Sequence, residues 1–158
     1  MFDDLYQELI LDHSQHSHNR GSLGNDVPNV FVNNPVCGDE LHLWVDFSNG
    51  RVSEAKFSGR GCMISQASAS MMTDLLKGAD IVRLKQLIDD FQSALNGSGG
   101  EEDKKRLGDL VALEGVKDYP VRMRCALLAF EALRQIIQKA EAASPTQADT
   151  LKISVNCC

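Results

Sequence analysis

Leu41, Leu43, Val45 and Phe47 alternate with Glu40, His42, Trp44 and Asp46. A period of two puts apolar side chains on one face and polar ones on the other, the pattern of a half-buried strand. Ser48-Asn49-Gly50 follows with turn chemistry, and Arg51 to Ser58 supplies a returning strand, so the segment closes as an antiparallel hairpin. Val30-Phe31-Val32 adds a short strand ahead of Asn33-Asn34-Pro35. One apolar sheet face must be covered, and the remaining chain offers helices to cover it.

Phe2, Leu5, Tyr6, Leu9 and Ile10 fall on one face of a first helix, which gives way to a polar loop from His13 to Gly21. Helical character returns at Ser65 and stops near Gly78, with small residues that suit close packing on the sheet. Asp80 suits the N-cap of another helix whose apolar positions run from Ile81 to Leu95, ended by Asn96-Gly97. Ser98-Gly99-Gly100 and the charged run Glu101 to Arg106 read as a surface loop with a short helix. Pro120 opens a last long helix that reaches about Ala142. Strands are grouped, not interleaved with helices, which predicts an α+β fold: a small antiparallel three-stranded sheet with helices packed on one side. Residues 1–143 are expected to form the domain, and 144–158 a mobile C-terminal tail.

Composition narrows the function. The chain of 158 residues carries sixteen Lys and Arg against twenty-two Asp and Glu, a net charge of −6, which disfavours nucleic acid and anionic membranes as partners. No stretch approaches the roughly 20 apolar residues of a membrane span, and the acidic start does not resemble a secretory signal. The expected compartment is the cytoplasm, where the five cysteines stay reduced. They must then be core residues, metal ligands or reactive thiols.

Cys37 lies in Asn34-Pro35-Val36-Cys37-Gly38-Asp39, between two strands. Cys62 lies in Gly59-Arg60-Gly61-Cys62, just before a helix whose free N–H groups favour thiolate. Cys125 sits early in the last helix beside Arg122 and Arg124. None of the spacings is that of a zinc finger, so three unrelated buried cysteines stay open beside a metal or nucleophile site. Asp39 could turn its carboxylate toward the point Cys37 faces, completing a tetrahedral set, or could serve only its own turn. Arg60, Arg122 and Arg124 are either solvated charges or groups for a docking partner. His13, His16 and His18 resemble a metal cluster, but with no Cys beside them they read as a solvated turn. His42 reads as a surface residue.

Three blocks together carry a resemblance: Asn34-Pro35-x-Cys37-Gly38-Asp39, then Gly59-x-Gly61-Cys62-x-Ile64-Ser65-x-Ala67-Ser68-Ala69-Ser70, then Arg124-Cys125-Ala126-Leu127-Leu128. In this order they resemble the U-type iron–sulfur cluster assembly family over about residues 1–142, and most nearly its SufU branch. Two departures from the IscU scaffold branch point the same way. Arg124 stands where that branch has His, and Asp118-Tyr119-Pro120-Val121-Arg122 replaces its Leu-Pro-Pro-Val-Lys chaperone motif. An insertion at about 96–117 is a further SufU-like feature.

The resemblance implies a zinc site of Cys37, Asp39, Cys62 and Cys125 at one end of the fold, with Cys37 as catalytic sulfur acceptor. It implies a SufS-type cysteine desulfurase as partner, with a SufB-type scaffold downstream. The function expected is zinc-dependent sulfur transfer for iron–sulfur cluster biogenesis. The alternatives are a scaffold that holds a [2Fe–2S] cluster on the same residues, and a non-catalytic zinc-stabilised adaptor. Cys157 and Cys158 match nothing in the pattern and are expected to be tail thiols.

Overall fold

The hairpin foreseen in the alternation is the centre of the molecule. The computed structural model describes residues 4–142 and 152–156. Strand β2 (Asp39–Ser48) pairs antiparallel on one side with β3 (Arg51–Arg60) and on the other with β1 (Asn29–Asn34). Val30, Val32, Leu41, Leu43, Val45, Ala55 and Phe57 share the inner face and are buried. Phe31, His42 and Trp44 share the outer face, where His42 stacks on Trp44 at 3.8 Å and its Nε2 meets Asn29 Oδ1 at 2.8 Å. His42 is therefore a packed, hydrogen-bonded residue of the outer face.

A fourth strand, β4 (Lys152–Asn156), lies parallel to β1 and completes the sheet order β3-β2-β1-β4. It falls within the segment expected as a mobile tail, so the three-stranded expectation gains an edge strand there. Pairing between residues more than a hundred positions apart leaves no local signal in five residues. Cys157 and Cys158 lie outside the described residues.

Helix α1 (Asp4–Gln15) runs further than the polar composition suggests. His13, expected in a loop, is helical and buried. Its Nδ1 lies 2.7 Å from Ser70 Oγ and its Nε2 lies 3.0 Å from Asp109 Oδ2, so the ring's polar atoms have partners inside the fold. After α1, Arg20 ties the loop down, with its guanidinium over the Phe57 ring and hydrogen bonds to Gly59 O and Gln66 Oε1.

Helix α2 (Met63–Leu76) is buried through Ser65, Gln66, Ala67, Ser68, Ala69 and Ser70. These small side chains let α5 (Pro120–Ala142) come close, and Ser68 Oγ donates to Ala126 O across 2.6 Å. Helix α3 (Ile81–Leu95) starts as its sequence predicts, with Asp80 Oδ1 accepting from Arg83 N at 2.8 Å. In the expected surface loop at 98–106 a short helix α4 (Glu101–Leu107) forms, and a 3-10 segment (Gly108–Asp118) follows that lies against α1, α2, α3 and α5. Phe91 of α3 stacks on Phe130 of α5 at 4.3 Å, joining both to the core. Among the described residues no helix is long and apolar enough to cross a membrane.

Candidate metal centre

Strand register delivers the first residues of the site. Asn34 pairs with Asp39, so residues 35–38 form the four-residue loop of the β1–β2 hairpin with Cys37 in it. Asn34 holds that loop: its backbone carbonyl accepts from Cys37 N (3.2 Å) and Gly38 N (2.8 Å), and its Oδ1 accepts from Val36 N (3.1 Å). Gly38 has φ of +75°, a left-handed conformation that glycine enters without penalty.

Glu40 pairs with Arg60 across β2–β3, so the next step along each strand brings Asp39 toward Gly61 and Cys62. Cys62 is the N-cap residue of α2, and its N–H donates to Asp39 Oδ1 at 2.8 Å. A carboxylate at that position meets the positive end of the helix. Its second oxygen, Oδ2, lies 3.9 Å from Cys62 Sγ. Gly61 is required for space, because a Cβ there would collide with Asp39 Oδ1 and crowd Ser65 Oγ at 2.8 Å.

The third thiol arrives from α5. Cys125 is buried in the second turn of that helix, and its Sγ lies 3.4 Å from Cys37 Sγ and 3.8 Å from Val121 O. One ligand atom each from Cys37, Asp39 and Cys125 falls within 4.8 Å of the others. Cys62 stands just outside this triple, next to Asp39. The four residues named by the sequence thus come together at one end of the sheet.

Electrostatics gives the cluster its chemistry. Burial, and then hydrogen bonding to Asp39 and Cys37, pushes the Cys125 thiol well above its ordinary pKa. Arg122 lies against both Cys62 and Cys125, and its pKa is raised, chiefly through the charge interaction with Cys62. Arg124 is exposed, and Arg60 is exposed and paired with Glu40 at 3.2 Å. Three arginines that looked alike in sequence therefore separate: only Arg122 is found beside the thiols. Arg122 and Cys125 are three residues apart and share a helix face, a spacing that could have singled it out.

A cleft of about 420 Å³ opens beside Cys62, lined by Met63, Ile64, Val116, Tyr119 and Arg122 among others. Met63, Tyr119 and Val121, with Val36 on the hairpin loop, are exposed apolar side chains around the site.

Comparison with known proteins bears on this arrangement. The model of the NifU-like N-terminal domain matches residues 5–126. The chain belongs to the NifU-like N-terminal domain family. This NifU-like domain is 42% identical over 139 residues to the zinc-dependent sulfurtransferase SufU of Bacillus subtilis, covering 88% of this chain and 93% of that protein. It is 38% identical over 135 residues to the iron–sulfur cluster assembly scaffold protein IscU of Streptococcus pyogenes, covering 85% and 84% of the two chains. Its fold is also similar to the crystal structure of the N-terminal part of a nitrogen-fixing NifU-like protein from Brucella abortus. That match has a TM-score of 0.77 at 26% identity and covers 90% of this chain and 98% of that one. The resemblance read from the three cysteine blocks is therefore shown, and the NifU-like domain is an α+β member of the U-type iron–sulfur assembly proteins.

Proposed function

We propose that this protein is a zinc-dependent sulfurtransferase that accepts persulfide sulfur from a SufS-type cysteine desulfurase. The observation that carries the reading is the convergence of Cys37, Cys125 and the buried Asp39 within 4.8 Å, with Cys62 bonded to Asp39 through its backbone. Similarity to the SufU of Bacillus subtilis supports the same reading.

The donor set fits zinc. Three sulfurs and a carboxylate oxygen are ligands zinc accepts in tetrahedral sites. A dication also suits a pocket where burial disfavours a bare Cys125 thiolate. Cys37, Asp39, Cys62 and Cys125 would hold the ion. When bound, zinc keeps the thiols deprotonated and lowers their nucleophilicity until needed.

The transfer itself belongs to Cys37. Its thiolate attacks the terminal sulfur of the desulfurase persulfide. A new S–S bond forms on Cys37 Sγ, the donor's S–S bond breaks, and the donor cysteine leaves as thiolate. Cys37 suits this role because its loop joins two strands and can shift without unwinding a helix. The exposed apolar side chains Val36, Met63, Tyr119 and Val121 offer the desulfurase a surface around the reacting sulfur. Arg122 holds positive charge beside the thiols during transfer. A SufB-type scaffold would receive the sulfur downstream, and the cytoplasm, where thiols stay reduced, suits the chemistry.

The oxygen donor Asp39 also favours a second reading, in which the same four residues hold a labile [2Fe–2S] cluster as cargo, and the similarity to a streptococcal IscU supports it. A third, a zinc-stabilised adaptor, would be better served by a closed set of four cysteines. Anaerobic purification with metal analysis separates the first two: colourless protein with at least one zinc per chain supports sulfur transfer, and a stable brown cluster overturns it. Desulfurase turnover is then measured with added wild type and with Cys37→Ser. Stimulation by wild type alone is expected; full stimulation by the variant would sink the assignment of Cys37, and none by wild type would favour the adaptor.

A further inference from the structure

His13, His18 and Asp74 meet where the end of α1 and the loop after it cross the C-terminal half of α2. One ligand atom from each lies within 4.8 Å of the other two. Asp74 stands twelve residues along α2 from Cys62, about 18 Å of helix rise, so the cluster is remote from the thiols. We infer that these three residues form a second metal site, specific for a divalent transition ion and independent of the cysteines.

The donors are oriented before any ion arrives. Both nitrogens of His13 are braced, Nδ1 by Ser70 Oγ at 2.7 Å and Nε2 by Asp109 Oδ2 at 3.0 Å. Whichever nitrogen binds, the other keeps a partner that fixes the ring, as in carboxylate–histidine–metal arrangements. Ser70 Oγ also accepts the backbone N–H of His18 at 2.8 Å, so a single hydroxyl positions both histidines. Asp74 is steadied through Oδ1 by Asn19 Nδ2 at 2.9 Å, which leaves Oδ2 facing His18 Nδ1 at 2.6 Å. Asn19 reaches that position at a φ of +62°, a backbone conformation that disfavours most residues. The two imidazole rings lie 4.6 Å apart and are inclined at 48°, so they converge without stacking.

The chemistry of the set selects the ion. Two imidazole nitrogens and one carboxylate oxygen suit Zn²⁺, Co²⁺, Ni²⁺ or Fe²⁺, whereas Mg²⁺ and Ca²⁺ prefer all-oxygen sites and Cu⁺ prefers sulfur. Two aspartates, Asp74 and Asp109, lie against the imidazoles and offer a dication its counter-charge. Exposure of His18 and Asp74 leaves room for water as further ligands. The histidine loop lacked a partner in sequence because the carboxylate comes from α2, 56 residues beyond His18.

The test uses reduced, full-length protein carrying one equivalent of zinc, exposed to Co²⁺ and followed by metal content and absorption. A second equivalent is expected, with weak ligand-field bands and no added thiolate-to-cobalt charge-transfer band. His18→Ala and Asp74→Asn, both at exposed positions, should each weaken it by about tenfold or more while the first equivalent stays. Unchanged circular dichroism in both variants shows that the fold is kept. No second equivalent in wild type would overturn the inference. So would a second equivalent that survives both variants, or one that brings a thiolate band.

Discussion

The backbone N–H of Cys62 donates to Oδ1 of Asp39 across 2.8 Å, tying the residue that caps α2 to the residue that opens β2. Asp39 is wholly buried, so this bond is what lets a carboxylate stand in the interior beside three thiols. It also leaves Oδ2 turned toward Cys62 Sγ.

Replacing Asp39 with Asn keeps an oxygen for the Cys62 amide but removes the charge. Zinc affinity is expected to fall by about tenfold or more, the scale on which even outer-shell partners act. Competition with a chelating dye measures it. Unchanged affinity would remove Asp39 from the ligand set.

Gly61→Ala drives a methyl into Asp39 and Ser65. The cost expected is about 1–3 kcal/mol in urea unfolding, the usual range for overpacking, together with lost metal. Gly99→Ala is the control. Its nearest neighbour to a new Cβ would be at 3.5 Å, and it should stay within about 0.5 kcal/mol of wild type.

Stability of the metal-free protein should fall in alkali. The folded Cys125 thiol has its pKa raised by burial, so it keeps its proton where the unfolded chain, at about 8.5, gives it up. Its contribution is complete below the unfolded value and is lost progressively as pH rises above it. Zinc reverses the trend, because its ligands must be deprotonated. Thermal melts at pH 7 and pH 10, with and without zinc, read both directions, and Cys125→Ala should flatten the metal-free one.

Asp80→Ala removes the cap of α3 far from the thiols. A loss of about 0.5–2 kcal/mol is expected with zinc content unchanged. A fall in zinc binding would show that the site depends on the helical layer as a whole.

Features with local causes were legible in the sequence. The β2–β3 hairpin, the Asp80 cap and the Pro120 start each announce themselves within a few residues, and the structure has all three. Cys37, Asp39, Cys62 and Cys125 stood out through flanking glycines and helix starts, and they do converge. What could not be read depends on distant partners. Strand β4 exists through pairing with β1, and His13 is helical because Ser70 and Asp109 receive its ring. Arg122 differs from Arg124 only by the helix face each occupies.

The small residues of α2 have a mechanical meaning. Helices α2 and α5 pack side by side on the sheet, with Ser68 bonded to Ala126. Ser65, Ala67, Ser68 and Ala69 work as a gauge block between the two helices, setting where Cys125 stands. Interiors are too tightly packed to absorb an added methylene without movement. A larger side chain at Ala67 or Ala69 would therefore force a backbone shift of α5 against α2. A sulfur–sulfur separation of 3.4 Å leaves little room for such a shift. The tolerance of the thiol cluster is thus machined in the core, by residues that carry no reactive group.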